Sequence, residues 1–429
     1  MNVRYKNNIV LIKMLHIINA QNQLVVCWFF FEKQMHKWLL GMDDYIILIS
    51  INFIYSTMQE EMIVTPWEVK GKIDYEKLTK KFGTTIIDQA MRDRLKKSFG
   101  ELHPFLARGI FYSYRDLDWL LDKYDAGEKF FIYTGRGPSG DVHLGHLLPW
   151  IFASYLQKKG NAELYFQFTD DEKYLLKEGN DLEHYRTLAY DNLLDLLAIG
   201  FDIDKVHVYV DTVNIKSLYP IALKVSKKIN FSTAKAVFGF KNEDNIGKIF
   251  YTSLQSVLAF LPSVLQKRNI PCLIPCGIDQ DPHFRVTRDV APSLGFYKPA
   301  IIHNKMLPGL TSEGKMSSSD PSSVIYTTDN DKTIEKKIKN AFTGGRATVA
   351  EQRRLGADPY ICPVFYMYQY IFEPDDRLLA DREEICKKGS LLCGDCKNDL
   401  IKRVQTYLND HRKKREIAKK EVDRVLVRD

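Results

Sequence analysis

Residues 130–150, FFIYTGRGPSGDVHLGHLLPW, restrict the fold of this chain more than any other stretch. An apolar run from Phe130 to Tyr133 stops at a glycine-rich turn, and a helix-like pattern starts at His146 with Leu147, Leu148, Trp150 and Ile151. Strand, glycines, helix is the order in which an α/β sheet offers a helix N-terminus to a phosphate. Glycine allows close backbone approach, and the free N–H groups with the helix dipole favour an anion. No Gly-Lys-Ser/Thr follows at the spacing of a Walker A loop, and the G-x-G-x-x-G register of a dinucleotide site is missing. The stretch holds His143-Leu144-Gly145-His146 instead. Histidines at i and i+3 share one face of the opening turn. Both can donate to a phosphate, and Gly145 leaves room for a flat base. Alone, the tetrapeptide reads equally well as a solvated helix start.

A second stretch breaks that tie. Gly314-Lys315-Met316-Ser317-Ser318-Ser319 lies in a segment rich in Gly, Ser and Thr, expected to be a mobile surface loop. One lysine and several hydroxyls suit a loop that closes over a triphosphate. With these two motifs in this order, the chain resembles the class I aminoacyl-tRNA synthetases, whose signatures are HIGH and KMSKS. Gly277-Ile278-Asp279-Gln280 looks like the G-x-D-Q segment of the tyrosyl and tryptophanyl branch. TGRGPS, TDDEKY, LIPC-x-IDQDP and KMS-x-SDP resemble the eukaryotic and archaeal tryptophanyl-tRNA synthetases, and the likeness runs from about residue 65 to the end.

At 429 residues the chain is long enough for two domains with full cores. The net charge of +7 permits a polyanionic partner without requiring one. Seven unevenly placed cysteines do not suggest a secreted disulfide scaffold, so a reducing cytoplasm is expected.

Residues 1–57 have no counterpart in the resemblance. Their apolar runs are interrupted by Lys33, Lys37, Asp43 and Asp44, too often for a membrane helix. A start at Met58 or Met62, which leaves the upstream residues outside the protein, is preferred to a peripheral membrane or partner-binding extension. Residues 58–129 are expected to pack on the catalytic domain, and the resemblance makes Trp67 a lid residue. From 130 to 325 alternating strand and helix patterns predict a Rossmann-like parallel sheet, with strands at 130–134, 164–169, 206–210, 272–276 and 300–303. From 326 to 429 helical patterns rich in Lys and Arg predict an all-helical domain, which the resemblance makes the anticodon-binding domain. The fold class is thus α/β with a helical C-terminal domain. The basic run Arg412, Lys413, Lys414, Arg415, Lys419 and Lys420 suits an RNA backbone, but a solvated face is the commoner meaning of such a run. Phe365, Tyr366, Tyr368, Tyr370 and Phe372 are too closely spaced for a base-stacking ladder and read as core.

The resemblance implies a two-step reaction: tryptophan and ATP give tryptophanyl-adenylate, and the aminoacyl group then passes to the 3′ end of tRNA(Trp). It implies His143 and His146 on the phosphates, Lys315 and Ser317 on the departing pyrophosphate, and Mg²⁺ as the accompanying ion. It places Gly145 under the adenine, Asp279 on the ribose, and Gly137, Gly277, Met316 and Ser319 around the nucleotide. Arg136 is expected to add a bidentate phosphate contact. Ser318 stands where KMSKS has its second lysine, so Mg²⁺ and Arg136 are the groups expected to compensate. For the amino acid, the resemblance sets Tyr133 and Gln167 against the indole, Glu172 and Gln280 on the ammonium, and Lys173 on the carboxylate. Asp170 and Asp171 read as helix N-caps. A homodimer is implied, and no membrane.

Tyrosine is the rival substrate. Tyrosyl enzymes resemble this chain and carry a Y-x-x-x-Q-x-x-D pattern whose aspartate binds the phenol. Tyr251 and Gln255 keep that spacing, but Leu258 stands at the aspartate position, so a phenol would lose a partner. A synthetase-like protein without catalysis would be expected to lose a histidine, the loop lysine or the ammonium-binding carboxylate, and all remain.

Cys362, Cys386, Cys393 and Cys396 stand at C-x23-C-x6-C-x2-C. Four thiolates are a ligand set for a [4Fe–4S] centre or a structural zinc. Glycines at 389 and 394 suggest turns that let the ligands converge. A cluster is expected ahead of zinc, and either ahead of free thiols. Some bacterial tryptophanyl enzymes resemble this arrangement, whereas typical eukaryotic members lack it.

Overall fold

The computed structural model describes residues 63–64, 69–70 and 73–429, apart from 312–313 and 318–319. The readings made for residues 1–57, Trp67 and Ser319 lie outside the described residues. Met62–Asp429 form one compact unit.

A small antiparallel pair, β1 (Ile63–Val64) and β2 (Val69–Lys70), precedes the main sheet. That sheet has seven strands: β3 (Thr85–Ile86), β4 (Phe111–Arg115), β5 (Phe131–Arg136), β6 (Glu163–Phe168), β7 (Val206–Val210), β8 (Cys272–Gly277) and β9 (Ala300–Asn304). Their spatial order is β3-β4-β9-β8-β5-β6-β7. The five strands expected from the sequence are all present within two residues, and they are parallel to one another. β3 and β4 were not expected. They extend the sheet antiparallel beyond β9. β4 ends where α1 (Leu117–Asp125) begins, a short helix that buries Leu117, Leu120 and Leu121.

Parallel strands buried on both faces need apolar side chains in both directions. On β5 and β6, Phe131, Tyr133 and Tyr165 enter one core cluster, while Ile132, Leu164, Phe166 and Phe168 enter the other. Gln167 shares the alternation of Tyr165 and is fully buried, so a polar side chain sits on an otherwise apolar face.

The chain leaves β5 through α2 (Leu144–Gly160) towards β6, whereas β8 lies on the other side of β5. This reversal creates the crevice at the carboxyl ends of the strands where open α/β sheets bind ligands. α3 (Asp170–Leu176) follows β6, α4 (Leu182–Ala198) leads to β7, and α5 (Asp281–Val290) leaves β8. The long α6 (Cys393–Ala418) packs on α4. One core cluster runs from Phe105 through Trp150 to Tyr368 and Leu408, so the expected N-terminal, catalytic and helical segments share a core. Phe365, Tyr368, Tyr370 and Phe372 are buried, as read.

A buried network fixes the start of α5. Asp281 accepts from Arg115 Nε at 2.8 Å and Nη2 at 2.9 Å, and pairs with His303 Nε2 at 3.0 Å. His303 Nδ1 meets Ser113 Oγ at 3.1 Å. Burial raises the Asp281 pKa, but the bonds from His303 and Arg115 outweigh it and hold the carboxyl down at about 2. A carboxylate depressed below its ordinary value near 4 stabilises the fold fully above that value and loses its contribution as pH falls through about 2. Asp281→Asn is therefore expected to destabilise the protein by about 3–5 kcal/mol at neutral pH, since it removes the charge partner of the Arg115 guanidinium and leaves it only the carbonyls of Phe82 and Gly83. In denaturant unfolding the gap to wild type should narrow between about pH 4 and pH 2; a constant gap would contradict this account.

Candidate active site

The crevice gathers its groups from the ends of β5, β6 and β8 and from the N-terminus of α2. His143 is the N-cap of α2, in extended conformation, and its chain neighbours are tied to a distant segment. Leu144 N–H donates to Ile325 O at 3.1 Å, Thr327 N–H donates to Val142 O at 2.9 Å, and His143 bridges Tyr326. The turn carrying the histidines is thereby laced to the residues that follow the KMS loop.

His146 Nδ1 accepts the backbone N–H of His143 at 3.2 Å. That bond puts the ring proton of a neutral His146 on Nε2, which becomes a fixed donor. The two imidazoles stack with centroids 3.5 Å apart. Burial, then Arg136 and Lys315, lower the His143 pKa to about 3; burial, Arg136 and His143 hold His146 well below its ordinary value. Both rings are neutral at physiological pH, so they can offer directed hydrogen bonds rather than charge. A Cβ on Gly145 would lie 3.1 Å from the His143 ring and 3.7 Å from Met316 Cβ, so the glycine keeps this surface flat. Met316 is buried beside it, its N–H on Leu307 O at 3.0 Å.

Lys315 Nζ donates to Asp279 Oδ2 at 3.2 Å, bringing together the groups expected at the pyrophosphate and the ribose. A Cβ on Gly277 would come 2.5 Å from Asp279 Oδ1, so the bare backbone there admits the carboxylate. Gln280 closes the turn Ile278–Gln280 at the start of α5. Ser317 lies on the same loop, its carbonyl accepting from Asp320 N–H at 3.0 Å.

Arg136 requires a correction. Its Nε donates to Asn192 Oδ1 at 2.6 Å, and its Nη2 donates to Gly140 O at 3.0 Å and Asp141 O at 3.1 Å. The guanidinium is buried and braces the glycine turn, which leaves too little of its fork for a bidentate phosphate contact.

On the amino-acid side, Tyr133 Oη donates to Gln167 Oε1 at 2.5 Å, and Gln167 Nε2 donates to Asp211 Oδ1 at 2.7 Å. Gln255 Nε2 donates to Tyr133 Oη at 3.1 Å, and Tyr251 donates to Gln255 Oε1. Leu258 is fully buried. Glu172 accepts from Thr169 Oγ1 and from Lys173 Nζ, both at 2.6 Å. Burial pushes the Glu172 carboxyl up, but Lys173 and these bonds outweigh it and hold it below its ordinary value. An ionised, nearly buried carboxylate is suited to an ammonium group. Lys173 is thus a partner of Glu172 and not a free surface lysine. Asp170 and Asp171 are not N-caps either: Thr169 is the cap residue, and Asp170 accepts from Thr212 N–H at 3.1 Å and Oγ1 at 2.5 Å.

Asp211 escaped the sequence reading. The available signal was an acid directly after the apolar strand β7, at the carboxyl edge where the crevice opens.

Residues 125–409 match the family described as tRNA synthetases class I (W and Y). The chain is 50% identical over 366 residues to the tryptophan–tRNA ligase of Pyrobaculum calidifontis, covering 85% of this chain and 98% of that protein. It is 48% identical over 364 residues to that of Saccharolobus solfataricus, covering 84% and 94%. Among solved structures, the tryptophanyl-tRNA synthetase of Plasmodium falciparum superposes with a TM-score of 0.77 at 38% identity, covering 82% of this chain and 95% of that one. The Encephalitozoon cuniculi enzyme, bound to tryptophan, gives 0.76 at 34%, covering 83% and 98%. The chain belongs to the class I tRNA synthetases. Use of ATP and Mg²⁺ comes with that family.

Away from the crevice of this synthetase, Cys362, Cys386, Cys393 and Cys396 line one small cavity of about 20 Å³, together with Arg382 and Leu391. Arg382 Nη1 lies 3.6 Å from Cys396 Sγ. Among the described residues, however, no group of three or more His, Cys, Asp or Glu is arranged, as it stands, to hold a metal ion. The basic run of α6 is also tied down. Arg415 pairs with Asp195 and, at 2.8 Å, with Asp191; Arg412 donates to Asp329 O at 2.6 Å; Lys414 pairs with Asp410 at 2.8 Å. Arg415 is a buried tie between α6 and α4, not part of an RNA track.

Gly137 tests the crevice. A Cβ there would come 2.1 Å from Lys173 Cε and 2.5 Å from Glu172 Oε2. Both are flexible side-chain ends, so Gly137→Ala should fold with a near-normal melting temperature while displacing the pair. The KM for the amino acid should rise about 10–100-fold, the usual cost of misplacing a positioning group. An unchanged KM would separate Glu172 and Lys173 from substrate binding.

Proposed function

We propose that this synthetase activates L-tryptophan with ATP, forming tryptophanyl-adenylate and pyrophosphate, and transfers the aminoacyl group to tRNA(Trp). The observation that carries the choice of amino acid is the pocket floor: Tyr133 and Gln167 offer buried oxygens to a donor, while the position a phenol needs is the buried, apolar Leu258. The relatives named tryptophan–tRNA ligase support the same reading.

Neither step needs a covalent protein intermediate, so catalysis rests on positioning and on stabilising phosphate charge. His143 and His146, neutral and oriented, meet the phosphates; Gly145 underlies the adenine; Gly277 and Met316 shape the nucleotide cleft, and Gly137 leaves room for Lys173 and Glu172 beside it. Asp279 takes the ribose, which frees Lys315 to meet the pyrophosphate with Ser317. Mg²⁺ supplies positive charge to the triphosphate when bound. Glu172, held ionised, faces the ammonium with Gln280, and Lys173 is shared between Glu172 and the substrate carboxylate. Among the described residues no helix is long and apolar enough to cross a membrane, and we place the enzyme in the cytoplasm as a homodimer.

ATP–pyrophosphate exchange measured with each amino acid should depend on tryptophan, with tyrosine weaker by about 10⁴–10⁵-fold, the discrimination available to a mismatched polar site. Comparable rates with tyrosine would overturn the assignment.

The four-thiol cavity is part of the same proposal, as a structural metal site in the helical region. Convergence of the sulfurs on one cavity, with Arg382 beside them, supports it. A volume near one water-sized sphere suits a single zinc better than a four-iron cluster, which reverses the order expected from the sequence. Protein purified without oxygen should contain one zinc per chain and be colourless. Brown protein with about four irons would restore the cluster, and metal-free, fully active protein with freely titrating thiols would end the idea.

A further inference from the structure

An amide side chain is ambivalent: one end accepts hydrogen bonds and the other donates, and only its neighbours decide which end faces a ligand. The indole nitrogen only donates. A glutamine that reads it must present oxygen, and a flipped amide would set two donors against each other. Gln167 is fully buried at the end of β6, so its orientation is set by protein groups. Its Nε2 is held at 2.7 Å by Asp211 Oδ1, and its Oε1 lies on the other side, 2.5 Å from Tyr133 Oη.

We propose that Asp211 is a positioning residue for recognition of the indole N–H, fixing the Gln167 amide with its oxygen towards the substrate. This rests on the reading that Tyr133 and Gln167 face the indole. A carboxyl suits the task only while the oxygen meeting Gln167 stays an acceptor. Asp211 Oδ2 is buried with no hydrogen-bond partner among the described residues, and the Asp171 side chain neighbours the same carboxyl. Two carboxyls in contact hold one proton between them. Burial and the Asp171 charge raise Asp211 well above its ordinary value, while burial, with Asp170 and Glu172 nearby, brings Asp171 up to about 7. With Oδ1 on Gln167 Nε2, a proton carried on Oδ2 leaves Oδ1 an acceptor. Asp170 is tied to Thr212 and Glu172 to Lys173, so neither competes for Gln167.

The test compares tryptophan with β-(3-benzothienyl)alanine, in which sulfur replaces the N–H at nearly constant shape. In ATP–pyrophosphate exchange, Asp211→Asn frees the amide to flip. kcat/KM for tryptophan should fall about 10–100-fold, the usual effect of a mispaired buried polar group, while that for the benzothienyl analogue should stay within about threefold. A general packing defect lowers both alike and leaves their ratio intact, which would overturn the proposal. Gln167→Leu is run in parallel. If it keeps the preference for tryptophan over the analogue, the reading of Gln167 itself fails; if it erases the preference and Asp211→Asn does not, only the role of Asp211 fails. Should Asp211→Asn not accumulate as folded protein, Asp171→Asn decides. Its amide can donate to Asp211 Oδ2, leaving Oδ1 an acceptor, so the preference should persist, and its loss would overturn the proposal.

Discussion

Burying several carboxyl groups at one edge of a sheet is the constraint to which the rest of this crevice answers. Asp170, Asp171, Glu172 and Asp211 all lie where β6 and β7 end. Each buried charge must be neutralised or heavily hydrogen-bonded. The chain uses a different device for each. Asp170 takes both donors of Thr212, Glu172 takes an ammonium and a hydroxyl, and burial beside each other raises both Asp171 and Asp211 above the ordinary carboxyl range. The space for the second device exists only because residue 137 has no side chain. Of the four, Glu172 is the one whose carboxyl is held below its ordinary value, by a lysine and a hydroxyl.

The nucleotide side solves the opposite problem. A site for a triphosphate should carry positive charge, yet Arg136 is spent bracing the turn and the loop has one lysine in its motif. Burial next to Arg136 and Lys315 forbids the histidines from adding charge of their own. What remains is oriented donors, a helix N-terminus and Lys315, whose partner is Asp279. On the proposed roles, ribose hydroxyls would compete for the carboxylate that now holds this lysine.

The parallel strands were legible because burial on both faces leaves near-continuous apolar runs such as Phe130–Tyr133, and the two phosphate segments because glycine, histidine and lysine stand in fixed order. β3 and β4 were not, since two-residue Thr85–Ile86 carries no period and Phe111–Arg115 is defined by its partner β9. Arg136 was misread for a related reason: a sequence shows that an arginine sits in a glycine turn but not that Asn192, 56 residues away, will claim it. Asp211 was invisible as a site residue because its role exists only through Gln167, across the strand pairing of β6 and β7. The cysteines show the limit from the other side. Their spacing was legible and they line one cavity, yet among the described residues no three such groups are arranged, as they stand, to hold a metal ion.

The basic run of α6 carries the same lesson into energetics. Arg415 is buried against Asp195, which also accepts from His411 Nε2 at 2.8 Å, and both carboxylates that Arg415 meets, Asp195 and Asp191, lie on α4. Burying such a group without its partners would cost several kcal/mol, about 3–5 when a buried pair is broken, so the helical C-terminal region is held in one register against the sheet. Apolar packing alone between α4 and α6 would tolerate sliding by a turn with similar area buried. The charged tie adds a specific partner for Asp195 at the observed register. Within a run whose commoner meaning is a solvated helix face, Arg415 thus does a structural task, and any RNA contact must be made by side chains that this tie leaves exposed.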